Sequence, residues 1–539
     1  MPTNAGIHSM SRWERWHEGL AHRPSVTGTI PDLLERAAAQ WPDVPALSEP
    51  DGTTTSFAAL AGQAAALGSA LRDRGFGNGE PVAVMLPNGT PYVVSLFGIL
   101  RTGAPVVQVN PIYTGPELEY MLDTTKATAI VVGADKLETV RGIRAATSLR
   151  LVIVAGSEVP LDDGEISLAA LIDAGDPSAG CAPIDPDTDL ATFQFTGGTT
   201  GRSKGAMLTH TNLLAGMQPT FDMVLADPDR LPPGSKAVAA APFFHIFGLT
   251  MVLFAGLHHG WHLLLVPRPT PDGLVDLIRD QRPGYLGGVA TLFTALVNHP
   301  EAATAGFDKL ELYTSGGASV PEALLRNFEQ LSGRTIFEGY GLSEGAPVSF
   351  NTHVRGSVSG SIGIPIPGTE VRIIDVETGD EAAPGQPGEL RVRGPQIMQG
   401  YWAMPDETAA ALVDGWLCTG DVATMDEQGY LRIVDRMKDM INASGYKVYP
   451  REVEEVVYQL PDVVEAAVIG VDDEYRGETV KLVVALRAGS ELVEGTVVDH
   501  CRAHLAPYKI PRIVEFRDEL PKSNVGKILR RALRDTPST

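Results

Sequence analysis

The sequence predicts an α/β protein. It reads as a large N-terminal domain of doubly wound α/β subdomains with a small β-rich subdomain, followed by an α+β C-terminal domain. Three observations carry that reading. Short apolar runs alternate with helical patterns through the first part of the chain, as βαβ units on a parallel sheet require. After about Gly360 the texture changes to strands punctuated by Gly and Pro turns. The chain has 539 residues, 44% of them apolar, which is more than one ordinary core accommodates.

The elements follow in order. "PDLLERAAAQW" carries Pro31 at a helix start, and "AALAGQAAALGSALRDRG" is an amphipathic helix closed by Gly75. "PVAVMLPN" and "APVVQVNP" read as buried strands separated by helical "PYVVSLFGILRTG"; "TAIVVG" and "LRLVIVAG" repeat the pattern. "DLATFQF" is a further strand. Ligands of such a sheet are expected beyond its strand ends. The most membrane-like window, "GLTMVLFAGLHHGWHLLLV", is long enough to span a bilayer, but histidines and a Gly-Trp break interrupt it. It reads as a buried helix running into a buried strand, with His258, His259 and His262 as loop and core histidines rather than metal ligands. "TEVRIIDVETGD", "PGELRVRG" and "GYLRIVD" supply the β-rich part. From about Asp435 a last unit mixes helices, "PREVEEVVYQL" and "GTVVDHCRAHL", with strands, "VVEAAVIGV" and "VKLVVALR". The expected domains are therefore 1–434 and 435–539, joined at the short charged segment "VDRMKDM".

A net charge of −23 argues against nucleic acid as a general partner. Cys181, Cys418 and Cys501 are far apart and lack metal-site spacing, which fits a reducing compartment without disulfides. The N-terminus lacks the apolar core of a signal peptide. A cytoplasmic protein with no transmembrane segment is expected.

The stretch "TGGTTGRSKG", Thr196 to Gly205, gathers four glycines, three threonines and two cations. Its glycines let backbone N–H groups turn toward an anion, and its hydroxyls add donors. It is not a Walker loop, because Gly205 rather than Ser or Thr follows Lys204. Four further stretches accompany it: "FEGYGLSEG" (Phe337 to Gly345), "GWLCTGD" ending at Asp421, "VDRMKDMINASGYKVYPREVEE" (Val434 to Glu455) and "ELPKSNVGKILRR" (Glu519 to Arg531). In order and spacing the five resemble the AMP-forming adenylating superfamily of acyl-CoA synthetases, peptide-synthetase adenylation domains and luciferases, and look most like a bacterial fatty-acid–CoA ligase. The resemblance covers nearly the whole chain.

That resemblance implies an ATP-dependent ligase with a mobile C-terminal lid. It would convert a carboxylic acid, in the medium- to long-chain fatty-acid class, to acyl-AMP and then to acyl-CoA. Because two anions meet when a carboxylate attacks the α-phosphorus, positioning and charge neutralisation are the main tasks. By resemblance, Thr196, Gly197, Gly198, Thr199, Thr200, Gly201 and Lys204 would hold the β- and γ-phosphates. Glu344, with Thr200, would bind Mg²⁺. Tyr340, between Gly339 and Gly341, would stack on adenine, and Ser343 would touch the α-phosphate. Asp421 would accept from the ribose hydroxyls with Arg436 nearby. Gly317 and Ala318 of "SGGASVP" would line the adenine and acyl pocket, and His245 of "APFFHIFGLT" would sit near the substrate carboxylate or the thiol path. Lys527 would bridge carboxylate and α-phosphate. Lys438 would be the hinge that exchanges Lys527 for a CoA-facing loop around Gly445.

The implied partners are small molecules, namely the acid, ATP and CoA, with a homodimer as the one protein association admitted. Departures stand out: Gly198 or its neighbour where the family loop usually has Ser, Ser203 where it usually has Pro before the Lys, Ser343 where Thr is common, and Leu249 where some long-chain members place a Trp gate. An aryl-acid CoA ligase of the 4-coumarate type shares every catalytic motif. An acyl-AMP ligase serving a carrier protein is a further alternative, although the insertion that marks that group is not evident. A non-catalytic nucleotide sensor is disfavoured by intact Lys527, Glu344 and Asp421. Luciferase-like oxygen chemistry is left open by the motifs and is decided by a light or oxygen-uptake assay.

Overall fold

The structure, a computed structural model, describes residues 16–20, 25–77, 79–156, 159–196, 203–443, 446–473, 477–523 and 526–534. An eight-stranded sheet carries, in spatial order, Gly400–Tyr401, Lys204–Thr209, Leu190–Thr196, Val106–Gln108, Val82–Met85, Ala129–Gly133, Leu151–Ala155 and Glu165–Ser167. Its inner pairings are parallel, and Leu190–Thr196 pairs antiparallel with Lys204–Thr209 at one side. Val82–Met85 and Ala129–Gly133 are buried at every position. Helices cover both faces of such a strand, so its sequence is a continuous apolar run rather than an alternation. The capping signals hold: Thr29 and Asp32 form a capping box at Ile30–Gln40, and Gly75 adopts φ +78° just past Phe57–Asp73.

A nine-stranded sheet follows the same logic, with strand order Ile364–Pro365, Gly345–Phe350, Ile336–Leu342, Leu312–Ser315, Tyr285–Gly288, Lys236–Ala239, His262–Leu265, Pro45–Ser48 and Thr54–Ser56. Lys236–Ala239 lies between His262–Leu265 and Tyr285–Gly288, all parallel. The chain therefore reverses its strand order there, and a crevice forms beyond the carboxyl ends. Asn88 ties the two sheets together at this edge. Its Nδ2 donates to Ala239 O and Ala241 O at 2.8 and 2.9 Å, and its Oδ1 accepts from Phe243 N at 2.8 Å.

The apolar window forms a π-helical segment, Gly248–Phe254, then Ala255–His258, then the strand His262–Leu265. It is buried against the main core, as the sequence leads one to expect. His258 hydrogen-bonds Gln218 at 2.7 Å, His259 stacks on Trp261 at 5.1 Å, and His262 meets Ser48 Oγ at 2.7 Å. Among the described residues no group of three or more His, Cys, Asp or Glu could hold a metal ion, and no helix is long and apolar enough to cross a membrane.

The β-rich part is a third sheet, built from Glu370–Ile374, Gly388–Arg393, Trp416–Met425, Leu412–Val413 and Leu431–Arg436. Alternate residues of these strands, Val371, Ile373, Leu390 and Val392, pack into one small core. The fourth sheet uses only strands after Asp439: Tyr446–Val448, Ile441–Ala443, Gly477–Leu486, Val463–Asp473 and Ile513–Arg517. Its core of Val453, Val468, Leu482, Val484 and Val497 is separate from the others. The architecture is thus the predicted one: α/β sheets and a β-rich subdomain in a large N-terminal part, then a smaller α+β unit.

Candidate active site

The site lies where the carboxyl ends of both large sheets meet the third and fourth sheets. Thr196 ends its strand and pairs across it with Lys204. Tyr120 donates its hydroxyl to Ser203 O at 2.9 Å, which fastens the far side of the hairpin. Gly197, Gly198, Thr199, Thr200 and Gly201 lie outside the described residues, as does Gly445.

Lys204 places its Nζ 4.9 Å from the centre of the Tyr401 ring. The Tyr401 hydroxyl donates to Glu344 Oε1 at 2.7 Å. Tyr401 stands there because Gly400–Tyr401 pairs with the strand that carries Lys204. Glu344 sits with Ser343 on the turn between Ile336–Leu342 and Gly345–Phe350, and Met398 N donates to its carbonyl at 2.8 Å. Burial raises the Glu344 carboxyl above its ordinary value against the Tyr401 hydrogen bond, and Asp421 adds to the rise. The Lys204 charge acts in the opposite sense.

Tyr340 donates its hydroxyl to Asp421 Oδ2. Burial, then the Asp421 charge, holds the phenol well above its usual value, so it stays a donor. Asp421 itself is buried, which raises its carboxyl; the Tyr340 hydrogen bond, Lys527 and Arg436 act in the opposite sense. Arg436 lies directly across the strand pair from Asp421 and reaches Asp439 Oδ2 at 2.7 Å. Lys438 occupies the short helical turn Met437–Asp439 that leads to the fourth sheet. Loss of hydration, then Arg436, takes its ammonium down to about 8.

Lys527 enters from the C-terminal end of the chain. Ser523 Oγ accepts from its backbone N at 3.1 Å, and Ser523 N donates back to Lys527 O at 2.7 Å. The preceding Gly526 docks on the N-terminal part, where Thr291 Oγ1 donates to Gly526 O at 2.9 Å. Gly526 adopts φ +77°, and a Cβ on it would lie 2.5 Å from Thr291 Oγ1. The residue as a whole keeps exposed surface. Its crowded ammonium is lowered by loss of hydration, then by Arg436, while Asp421 counteracts.

Below this charged cluster opens an apolar cavity. Its walls include His245, Phe247, Met251, Gly339, Gly341 and Phe350, with Gly316, Gly317 and Tyr340 at the same wall. Ala318 stands one residue past this lining and is half-buried. His245 Nδ1 accepts from Phe247 N at 3.3 Å, which puts the imidazole proton on Nε2. Burial, then the nearby Lys527 charge, takes His245 down to about 4, so the ring is neutral at neutral pH. Gly339 is required by packing: a Cβ there would meet the Phe350 ring at 2.4 Å.

The structure thus brings together Lys204, His245, Gly317, Gly339, Tyr340, Gly341, Ser343, Glu344, Asp421, Arg436, Lys438 and Lys527. Sequence reasoning missed Tyr401, which holds Glu344, and Thr291, which docks the Lys527 segment. Neither lies in a recognisable motif, and their partners are 57 and 235 residues away. Four cations, a buried and a half-buried carboxylate and an apolar cavity in one crevice suit a polyanion with a metal and a long apolar substituent.

The AMP-binding enzyme family matches residues 34–402, and the AMP-binding enzyme C-terminal domain matches residues 452–527. The chain belongs to the AMP-binding enzymes. This AMP-binding enzyme is 42% identical to a long-chain-fatty-acid–CoA ligase of Escherichia coli, over 95% of each chain. Its fold is similar to that of ATP-bound MatB from Rhodopseudomonas palustris, with a TM-score of 0.85 at 31% identity, covering 94% of this chain and 98% of that one. It is also similar to the anthranilate CoA ligase AuaEII in complex with anthranoyl-AMP, with a TM-score of 0.88 at 28% identity, covering 95% and 97%. AMP-forming acyl-CoA ligase chemistry is the activity of this AMP-binding enzyme.

Proposed function

We propose that this enzyme joins a medium- to long-chain fatty acid to coenzyme A by way of an acyl-adenylate. The observation that carries the reading is the apolar cavity beneath the cationic cluster: an acyl chain lying between His245 and Phe350 places its carboxylate beneath Lys527. Similarity to long-chain-fatty-acid–CoA ligases over nearly the whole length supports it. ATP and CoA are substrates in this reading.

Each residue then has a task. Lys204, with Thr196 and the hydroxyls of Thr199 and Thr200, neutralises and orients the β- and γ-phosphates. Tyr340 presents its ring to adenine, flanked by Gly317, Gly339 and Gly341, and its hydroxyl orients Asp421 toward the ribose hydroxyls. Arg436 stands beside that carboxylate, and Ser343 offers its hydroxyl to the α-phosphate. Lys527 donates to the attacking carboxylate and the α-phosphate oxygen as charge builds between them. His245, neutral with its proton on Nε2, can donate to the substrate carboxylate without adding charge. Lys438 is the hinge, a few residues past the expected boundary between 1–434 and 435–539, because Asp435 and Arg436 stay paired to the third sheet; turning about it withdraws Lys527 and brings the Gly445 segment toward the thiol path.

Mg²⁺ fits the donor set. It needs one or two carboxylates and takes its other ligands from phosphate and water, and Glu344 is a half-buried carboxylate that accepts from the Tyr401 hydroxyl. Glu344 and Thr200 would hold it. When bound, it supplies charge neutralisation between the phosphates. The three free thiols fit a reducing, cytoplasmic setting.

The test is CoA-dependent AMP formation across a saturated series of fatty acids, against benzoate and 4-coumarate. Each methylene buried contributes about 0.8 kcal/mol, so a handful of extra carbons raises kcat/KM roughly a hundredfold before a plateau. Preference for an aromatic acid over every fatty acid overturns the substrate assignment.

A further inference from the structure

Lys438 divides a set of buried and half-buried charges into two groups. Before it, Asp435 and Arg436 end the strand Leu431–Arg436, which is paired to Trp416–Met425 in the third sheet. After it, Glu454 is fixed to the fourth sheet, its Oε1 accepting from Val468 N at 2.8 Å. The helix Arg530–Arg534 packs on that sheet through Leu533, against Ala467 and Ile469. Arg530 Nη2 spans both oxygens of Glu454 at 2.8 and 2.7 Å, and its Nη1 reaches across to Asp435 Oδ1 at 3.2 Å. The other oxygen of Asp435 accepts from Arg451 N at 3.0 Å, and Arg451 Nη1 donates to Ile433 O at 2.8 Å. Asp435 is 4% exposed.

We propose that Asp435 and Arg530 are a positioning pair: they latch the C-terminal unit in the orientation that presents Lys527 and must separate for thioester formation. The proposal rests on the reading of Lys438 as the hinge. Bonds inside the C-terminal unit survive any rotation about Lys438, whereas bonds to Asp435 do not. Arg530 therefore has a permanent anchor, Glu454, and a switched one, Asp435. In the rotated state the guanidinium keeps Glu454, so no unpaired buried arginine is created and the cost of unlatching stays small. In the latched state Arg530 fixes the start of the helix three residues after Lys527. The carboxylate that grips it is one residue before Arg436, itself opposite Asp421. The latch thus ties the position of Lys527 to the strand that carries the ribose-facing carboxylate, which is what a two-state element needs in order to bias one half-reaction.

The experiment is a double-mutant cycle with Asp435→Ala and Arg530→Lys, the latter keeping the charge but losing the fork that holds two acceptors at once. Adenylation is read by acid-dependent pyrophosphate exchange, and thioester formation by CoA consumption with supplied acyl-adenylate. Each single variant is expected to lower adenylation about tenfold, with the double variant no worse than the stronger single. Thioester formation stays at or above wild type. Equal losses in both half-reactions, or losses that simply multiply, overturn the latch in favour of a purely structural role. Lys438→Pro, assayed alongside, tests the hinge separately. If it leaves both half-reactions intact, the hinge reading fails. If it unbalances them while the Asp435 and Arg530 variants do not, the latch alone fails.

Discussion

Glu338 shows how much a single buried residue contributes to this site. It sits two residues before Tyr340, is 2% exposed, and accepts from Val320 N at 3.2 Å, so it braces the loop that follows Ser315. Burial, opposed by Arg451, pushes its carboxyl from 4.5 up to about 7. A raised carboxyl favours the neutral form. Its stability contribution is complete below about pH 4.5 and is lost as pH climbs through about 7, a span worth roughly 3 kcal/mol. Glu338→Gln stays neutral, so its thermal midpoint should exceed that of wild type at about pH 8 and converge with it in acid. A midpoint parallel to wild type at every pH contradicts this. Tyr340→Phe makes a second test at this scale. It strips Asp421 of its hydroxyl donor. The loss of a hydrogen bond to a charged group is worth about 1.5–3 kcal/mol, so KM for ATP should rise by roughly tenfold or more while the fold persists. An unchanged KM removes Asp421 from nucleotide binding.

At the scale of elements, two glycines on the cavity wall separate packing from specificity. A Cβ at Gly339 would meet the Phe350 ring at 2.4 Å, with Phe350 itself 2% exposed and held in the core. Gly339→Ala should cost about 1–3 kcal/mol and depress all activities together. A Cβ at Gly316 would approach Phe247 at 3.1 Å, a contact that a small ring shift relieves. Gly316→Ala should leave the thermal midpoint nearly unchanged and move the chain-length plateau of kcat/KM to shorter acids. An unshifted plateau means the acyl chain does not pass Gly316. Apolar runs and Gly/Pro punctuation made most elements legible, because burial on one or both faces writes itself into residue type. The π-helical pitch of Gly248–Phe254 was not legible, since periodicity reports which residues are buried and not how tightly the backbone winds. Tyr401 escaped for a different reason: it reaches Glu344 only through a two-residue strand, Gly400–Tyr401, too short to leave a pattern.

For the whole molecule, the question is what the observed arrangement of its parts does. Motif order announced the individual cations, but their convergence depends on contacts between remote segments, such as Thr291 with Gly526 and Arg530 with Asp435, 235 and 95 residues apart. Local sequence holds no record of such pairs. In this arrangement the Lys527 charge acts on both His245 at the cavity and Asp421 in the third sheet. In the proposed reading that position suits the adenylating half-reaction. The most direct measurement is therefore the rate of each half-reaction in Lys527→Ala. Acyl-adenylate formation should fall by roughly 10²-fold or more, as for a lost oxyanion donor, while CoA acylation from supplied acyl-adenylate largely persists. Equal loss of both half-reactions, or full retention of adenylation, contradicts the account.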